Sequence, residues 1–167
     1  RDWIEGSYDA ATAPYPCRES RIAIVGANPT QSADLVQRIY VHELYHTLQQ
    51  SLMDGCQTFG VSERGFYEPI DDDEYEAKQE AGRWLAEGTA DYFSYIIRDQ
   101  INGTTNGIQL MLAAANSAAN ESLDINNDQA TSSAAAVRLL IERGVITEEQ
   151  IVSGSMFETC DWVDTFG

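Results

Sequence analysis

Two histidines stand four residues apart in the stretch Val41 to Gln50, VHELYHTLQQ, with a glutamate directly after the first. They are the only histidines in the chain. On a helix, positions i and i+4 lie one above the other on the same face, so His42 and His46 can aim both imidazoles at one point. Two imidazole nitrogens so placed suit a divalent metal ion such as zinc. Glu43 lies about 100° round the helix from His42, beside that point, where its carboxylate can hold a water and take its proton. The pattern predicts a hydrolytic metal site with Glu43 as general base.

A catalytic zinc commonly takes three protein ligands and keeps a fourth position for water. No third histidine exists, and Gln49, Leu52 and Met53 occupy the stretch where an extended H-E-x-x-H-x-x-G-x-x-H pattern would place its glycine and histidine. The third ligand must then be a carboxylate. WLAEGTADYF, residues 84–93, offers Glu87 with Asp91 four positions later on the same helical face. Gly88 lowers helix propensity by about 1 kcal/mol relative to alanine, which makes sense where two helices approach closely. Asp91 is placed to accept a hydrogen bond from the non-ligating nitrogen of a zinc histidine and so to set its tautomer.

HELYH followed downstream by W-L-A-E-G-T-A-D-Y resembles the gluzincins, the zinc peptidases in which H-E-x-x-H and a glutamate on a following helix bind the metal. The resemblance covers about Ile39 to Tyr95. It implies that His42, His46 and Glu87 hold one zinc ion, that Glu43 is the general base and proton shuttle, and that Asp91 matches the aspartate that orients a histidine in thermolysin-like members. It also implies a zinc-dependent metallopeptidase acting on a peptide or protein substrate. The forty residues between His46 and Glu87 form a longer spacer than in thermolysin or its aminopeptidase relatives, which reads as an insertion. Many members add a downstream histidine or tyrosine that stabilises the oxyanion. Here both histidines are already used and no tyrosine follows Tyr95, so the usual donor is missing, is supplied by Arg138 or Arg143, or lies beyond Gly167. Two further readings stay open: a zinc hydrolase of a non-peptide amide or ester, and a zinc-binding module without catalysis.

The elements that must position these residues are legible in the hydrophobic pattern. From about Ser32 or Ala33, Leu35, Ile39, Leu44, Leu48 and Leu52 recur at helical spacing until Gly55. A second long helix is expected from Glu74 to Ile101, ending near Gly103, with Trp84, Tyr92, Phe93 and Tyr95 read as core aromatics. Further helices are expected at about 107–119 and 132–143, the latter introduced by Ser132-Ser133 and closed by Gly144. Thr147 to Gln150 forms a T-x-x-Q capping box for a final short helix. Arg21 to Gly26, RIAIVG, is the clearest strand; the resemblance implies an edge strand that pairs with an extended substrate, and an ordinary internal strand is the other reading. The expected fold is α+β and mainly helical, and the resemblance implies one zincin-like catalytic domain over 1–167, with a small β-sheet and two long zinc-binding helices. Residues 1–31 form an N-terminal segment with the edge strand, 32–103 carry the zinc-binding helices, and 104–167 form a C-terminal helical part.

Composition bounds the partners. Twenty-seven acids against ten bases give a net charge of −17, and Lys78 is the only lysine, so nucleic acid is a poor partner for this surface. The acidity suits a secreted or cell-envelope protein kept soluble by its charge. No apolar run approaches the ~20 residues needed to span a bilayer. LDINNDQ, residues 123–129, carries D-x-N-x-D at 124, 126 and 128 but has Gln129 and Ala135 where a calcium loop needs glycine and a carboxylate. It reads as an asparagine-rich loop before a helix, with calcium the weaker alternative. Cys17, Cys56 and Cys160 follow no C-x-x-C pattern and leave three pairings open. The chain begins at Arg1 without a leader and ends at Gly167 without an obvious stop, which reads as a processed piece with a partner domain outside it.

Overall fold

The computed structural model describes residues 10–14, 21–25, 32–52, 72–117 and 130–159. Cys17, Cys56, Cys160, the stretch 53–71 and the candidate calcium loop lie outside the described residues.

Helix α1, Ala33–Leu52, opens at Ser32, whose hydroxyl accepts from the backbone N–H of Leu35 and supplies the N-cap. Helix α2, Asp72–Asn102, stops where Gly103 turns to a φ of 63°. Helix α3 spans Asn106–Ser117 and α4 spans Ala130–Glu142. The expected capping box forms at α5, Glu148–Ser153: Thr147 accepts from the N–H of Gln150, and the Gln150 side chain accepts from the N–H of Thr147. A single 3₁₀ turn, Ser155–Phe157, follows.

Helix α2 is central and packs most extensively against α4 and then α1. Tyr45 of α1, Leu85 and Ala90 of α2, Met111 of α3, Val137 of α4, Ile151 of α5 and Phe157 are buried together. Tyr92 and Tyr95 belong to this core, Trp84 and Phe93 pack against it, and Phe93 stacks on Tyr45 with ring centroids 4.8 Å apart. The aromatics of α2 thus pack where their helical spacing puts them. The close approach expected at Gly88 is made by α4. A Cβ on Gly88 would lie 2.8–2.9 Å from the backbone carbonyl and the Cβ of Ser133, so no side chain fits between the helices at that point. Because α4 starts at Ala130, Ser133 lies inside the helix against Gly88 and Ser132-Ser133 is not its cap.

The expected α+β class, with a zincin-like fold built on a small sheet, is corrected. The described residues are mainly helical. Strand β1, Ala10–Pro14, and strand β2, Arg21–Val25, form only a two-stranded antiparallel ladder running from Ala10 opposite Val25 to Pro14 opposite Arg21. Two strands of five residues do not make a layer around which a domain core can be built, and here the core lies between helices. One edge of β2 is also taken by β1 rather than left for a substrate. No described helix is long and apolar enough to cross a membrane.

Candidate metal centre

Helices α1 and α2 run antiparallel, and the polar residues of α1 that recur every three or four positions meet α2 in order. Asp34 pairs with Arg98, Arg38 with Asp91, His42 with Asp91 and Glu87, and His46 with Glu87. The helical spacing fixes which residues of α1 share this face, while Tyr45, Leu48 and Leu52 of the same helix join or pack against the core.

Three donor atoms converge at the His42–His46 end of this row. His42 Nε2 lies 2.9 Å from His46 Nε2 and 3.2 Å from Glu87 Oε2, and His46 Nε2 lies 3.3 Å from the same carboxylate oxygen. The two rings meet edge to face, with centroids 4.6 Å apart and planes at 83°, so their nitrogens point inward rather than stacking. Both histidines are mostly buried, while the Glu87 side chain is 29% exposed, which leaves the cluster open on its carboxylate side. Among the described residues these three form the one group of histidine, cysteine or acidic side chains able to hold a metal ion.

The donor set fits a metal. Ligands 2.0–2.1 Å from a tetrahedral zinc stand about 3.3–3.4 Å apart; the two separations to Glu87, 3.2 and 3.3 Å, are close to those edges, and the His42–His46 separation, 2.9 Å, is shorter. Two imidazoles and one carboxylate also leave a fourth position for water. Nitrogen lone pairs 2.9 Å apart repel unless a proton or a cation lies between them. Burial disfavours charge on His42, but its hydrogen bonds to Asp91 and Glu87 outweigh this and raise it to about 9. Burial likewise disfavours charge on Glu87, and the two histidines outweigh it and hold the carboxyl well below the usual carboxylate range.

No family model, characterised protein or solved structure matches this chain. The functional reading rests on the cluster and on the sequence pattern that builds it.

Asp91 takes the place expected for an orienting carboxylate. Its Oδ1 lies 2.9 Å from His42 Nδ1, the nitrogen facing away from the cluster, and also accepts from Arg38 Nη1 at 2.7 Å. The Asp91 side chain is 2% exposed, so its charge is stabilised almost entirely through these two donors. Arg38 in turn lies over the Tyr95 ring, 5.1 Å from the centroid. Glu43 follows His42 on α1 and is buried at 7% exposure, outside the three-atom convergence.

Two contributors were not singled out from the sequence as partners in the site: Arg38 and Gln49. Gln49 is 1% exposed, and its Oε1 lies 2.6 Å from His46 Nδ1. The available signal was periodic, since Arg38 precedes His42 by one turn and Gln49 follows His46 by three residues. The arginines considered as oxyanion donors are placed otherwise. Arg138 donates to Glu142 and lines a cavity of about 450 Å³ with Tyr92, Ile96 and Glu148, and none of the three cluster residues contributes to that lining. Arg143 is exposed just beyond α4.

Proposed function

We propose that this chain is a zinc-dependent hydrolase of peptide bonds, with His42, His46 and Glu87 as the metal ligands and Glu43 as the general base. The observation that carries the reading is the convergence of three donor atoms, 2.9–3.3 Å apart, from an H-E-x-x-H helix and a glutamate on the next helix. The resemblance of the same residues to the gluzincins supports it, as does the contact of Asp91 with the outward nitrogen of His42.

When bound, zinc supplies Lewis acidity to a substrate carbonyl and lowers the pKa of a water toward ~7. The remaining steps fall to the chain itself. His42 and His46, held through their outward nitrogens, keep their inward nitrogens aimed at one point. Glu43 takes a proton from the attacking water as the new carbon–oxygen bond forms, and delivers it to the amine nitrogen as the carbon–nitrogen bond breaks.

Glu43→Gln separates binding from chemistry. The variant is expected to hold one equivalent of zinc with wild-type affinity and to lose at least about a hundredfold in hydrolysis of a quenched peptide library. Wild-type activity should vanish with chelator and return with zinc. Full activity in Glu43→Gln would remove the assigned base. Zinc binding without any cleavage by the wild type would favour the zinc-binding module, a reading to which the exposed or paired positions of Arg138 and Arg143 lend some weight.

A further inference from the structure

Gln49 makes three polar contacts, and together they decide which way its amide points. Nε2 lies 2.9 Å from the Ala86 carbonyl oxygen and 2.8 Å from Thr89 Oγ1, and Oε1 lies 2.6 Å from His46 Nδ1. A backbone carbonyl only accepts, so the amide group facing Ala86 must be the NH₂. Thr89 is consistent with this, since its own hydroxyl reaches Leu85 O at 2.8 Å and Ala86 O at 3.0 Å, leaving its oxygen free to accept. The Gln49 oxygen is thereby directed at His46, and His46 Nδ1 must carry the hydrogen.

In a neutral imidazole the lone pair then falls on Nε2, the atom that faces His42 Nε2 and Glu87. We propose that Gln49, anchored by Ala86 O and Thr89 of α2, is the positioning residue that fixes the tautomer and ring plane of His46. Its purpose rests on the metal reading above, but the tautomer itself does not. Ala86 and Thr89 flank Glu87, so one turn of α2 supplies both the third ligand and the anchor for the orienter of the second. A shift of α2 along α1 would move Glu87, Ala86 O and Thr89 together.

The two histidines are therefore oriented by unlike groups. Asp91 brings a negative charge to His42, and Gln49 brings none to His46. A neutral orienter fits a centre that already holds the carboxylates of Glu87 and Asp91, because a further buried anion would need its own compensation.

The test reads the tautomer directly, by long-range ¹⁵N–¹H spectroscopy of the histidine rings in the metal-free protein, together with zinc affinity by chelator competition. Wild type is expected to show His46 as the Nδ1–H form. Gln49→Met, similar in length and apolar, should shift His46 toward the Nε2–H form and weaken zinc about 10- to 100-fold, with the helical circular dichroism retained. Thr89→Val, which keeps Gln49 but removes one anchor, should move both readouts in the same direction by less, and Thr89→Ser should restore wild-type values. Should Gln49→Met fail to fold, Thr89→Val against Thr89→Ser decides the matter. An unchanged His46 tautomer and a zinc affinity within about twofold of wild type would overturn the role of Gln49. A wild type that binds no zinc would overturn the proposed function instead, and the tautomer populations would still decide what Gln49 does.

Discussion

Each histidine of the cluster is held through the nitrogen that faces away from the other, and this is what makes their inward nitrogens available as ligands. Asp91 bears more than one duty at this scale, since the same oxygen serves both His42 and Arg38 while Oδ2 is buried with no hydrogen-bond partner among the described residues. Asp91→Asn keeps an oxygen for His42 but removes the charge that favours a strongly basic imidazole. Zinc affinity in this variant is expected to fall about tenfold, within the range seen when residues that support metal ligands are changed. The measurement is chelator competition on protein shown to be folded by circular dichroism. Wild-type affinity would mean that Asp91 serves Arg38 and not the metal site.

At the scale of elements, what could be read in advance divides along a physical line. His42, His46, Glu87 and Asp91 were legible because each pair lies within one helix, where i,i+4 spacing alone puts two side chains on one face. The capping box at Thr147 and Gln150 was legible for the same reason. Arg38 and Gln49 were not: although His46 lies three residues from Gln49 on α1, the partners that fix the two side chains, Asp91, Ala86 and Thr89, come from the other helix, and the register of α1 against α2 is set by core packing rather than by either segment alone. The α+β expectation failed in a related way: a good strand signal at 21–25 locates a strand but says nothing of how many others join it.

The junction of α2 and α3 offers a test of this packing. Asp99, near the end of α2, accepts from the Thr104 hydroxyl and from the N–H groups of Gly107 and Ile108, capping the start of α3 from the preceding helix. Burial alone would raise its carboxyl, but these hydrogen bonds outweigh burial and hold it below its ordinary value of 3.8. A carboxyl depressed in the folded state contributes stability that is present above the unfolded value and is lost as pH falls through the folded one. Wild type should therefore lose stability below about pH 4. Asp99→Asn should lose about 1 kcal/mol at neutral pH, and the gap between the two should close in acid. Denaturant midpoints measured from pH 7 to pH 2.5 would show this. Parallel curves would mean that the Asp99 charge does not hold the junction.

The whole molecule sets a competition that any metal experiment must resolve. A net charge of −17 attracts every cation, so salts and divalent ions should stabilise the folded chain simply by reducing its self-repulsion. A zinc ion held by His42 and His46 on α1 and Glu87 on α2 acts differently, because it ties two helices together and binds only the folded state. At free zinc 100 times its dissociation constant that linkage is worth about 2.7 kcal/mol, at concentrations far too low to alter screening. Thermal unfolding at fixed ionic strength separates the two effects. Micromolar zinc should raise the wild-type midpoint, while magnesium at the same concentration should not. His46→Ala should lose the zinc increment and keep the full response to added sodium chloride. If His46→Ala retained the zinc increment, the ion would be sitting on the acidic surface, and the stabilisation would report charge rather than a site.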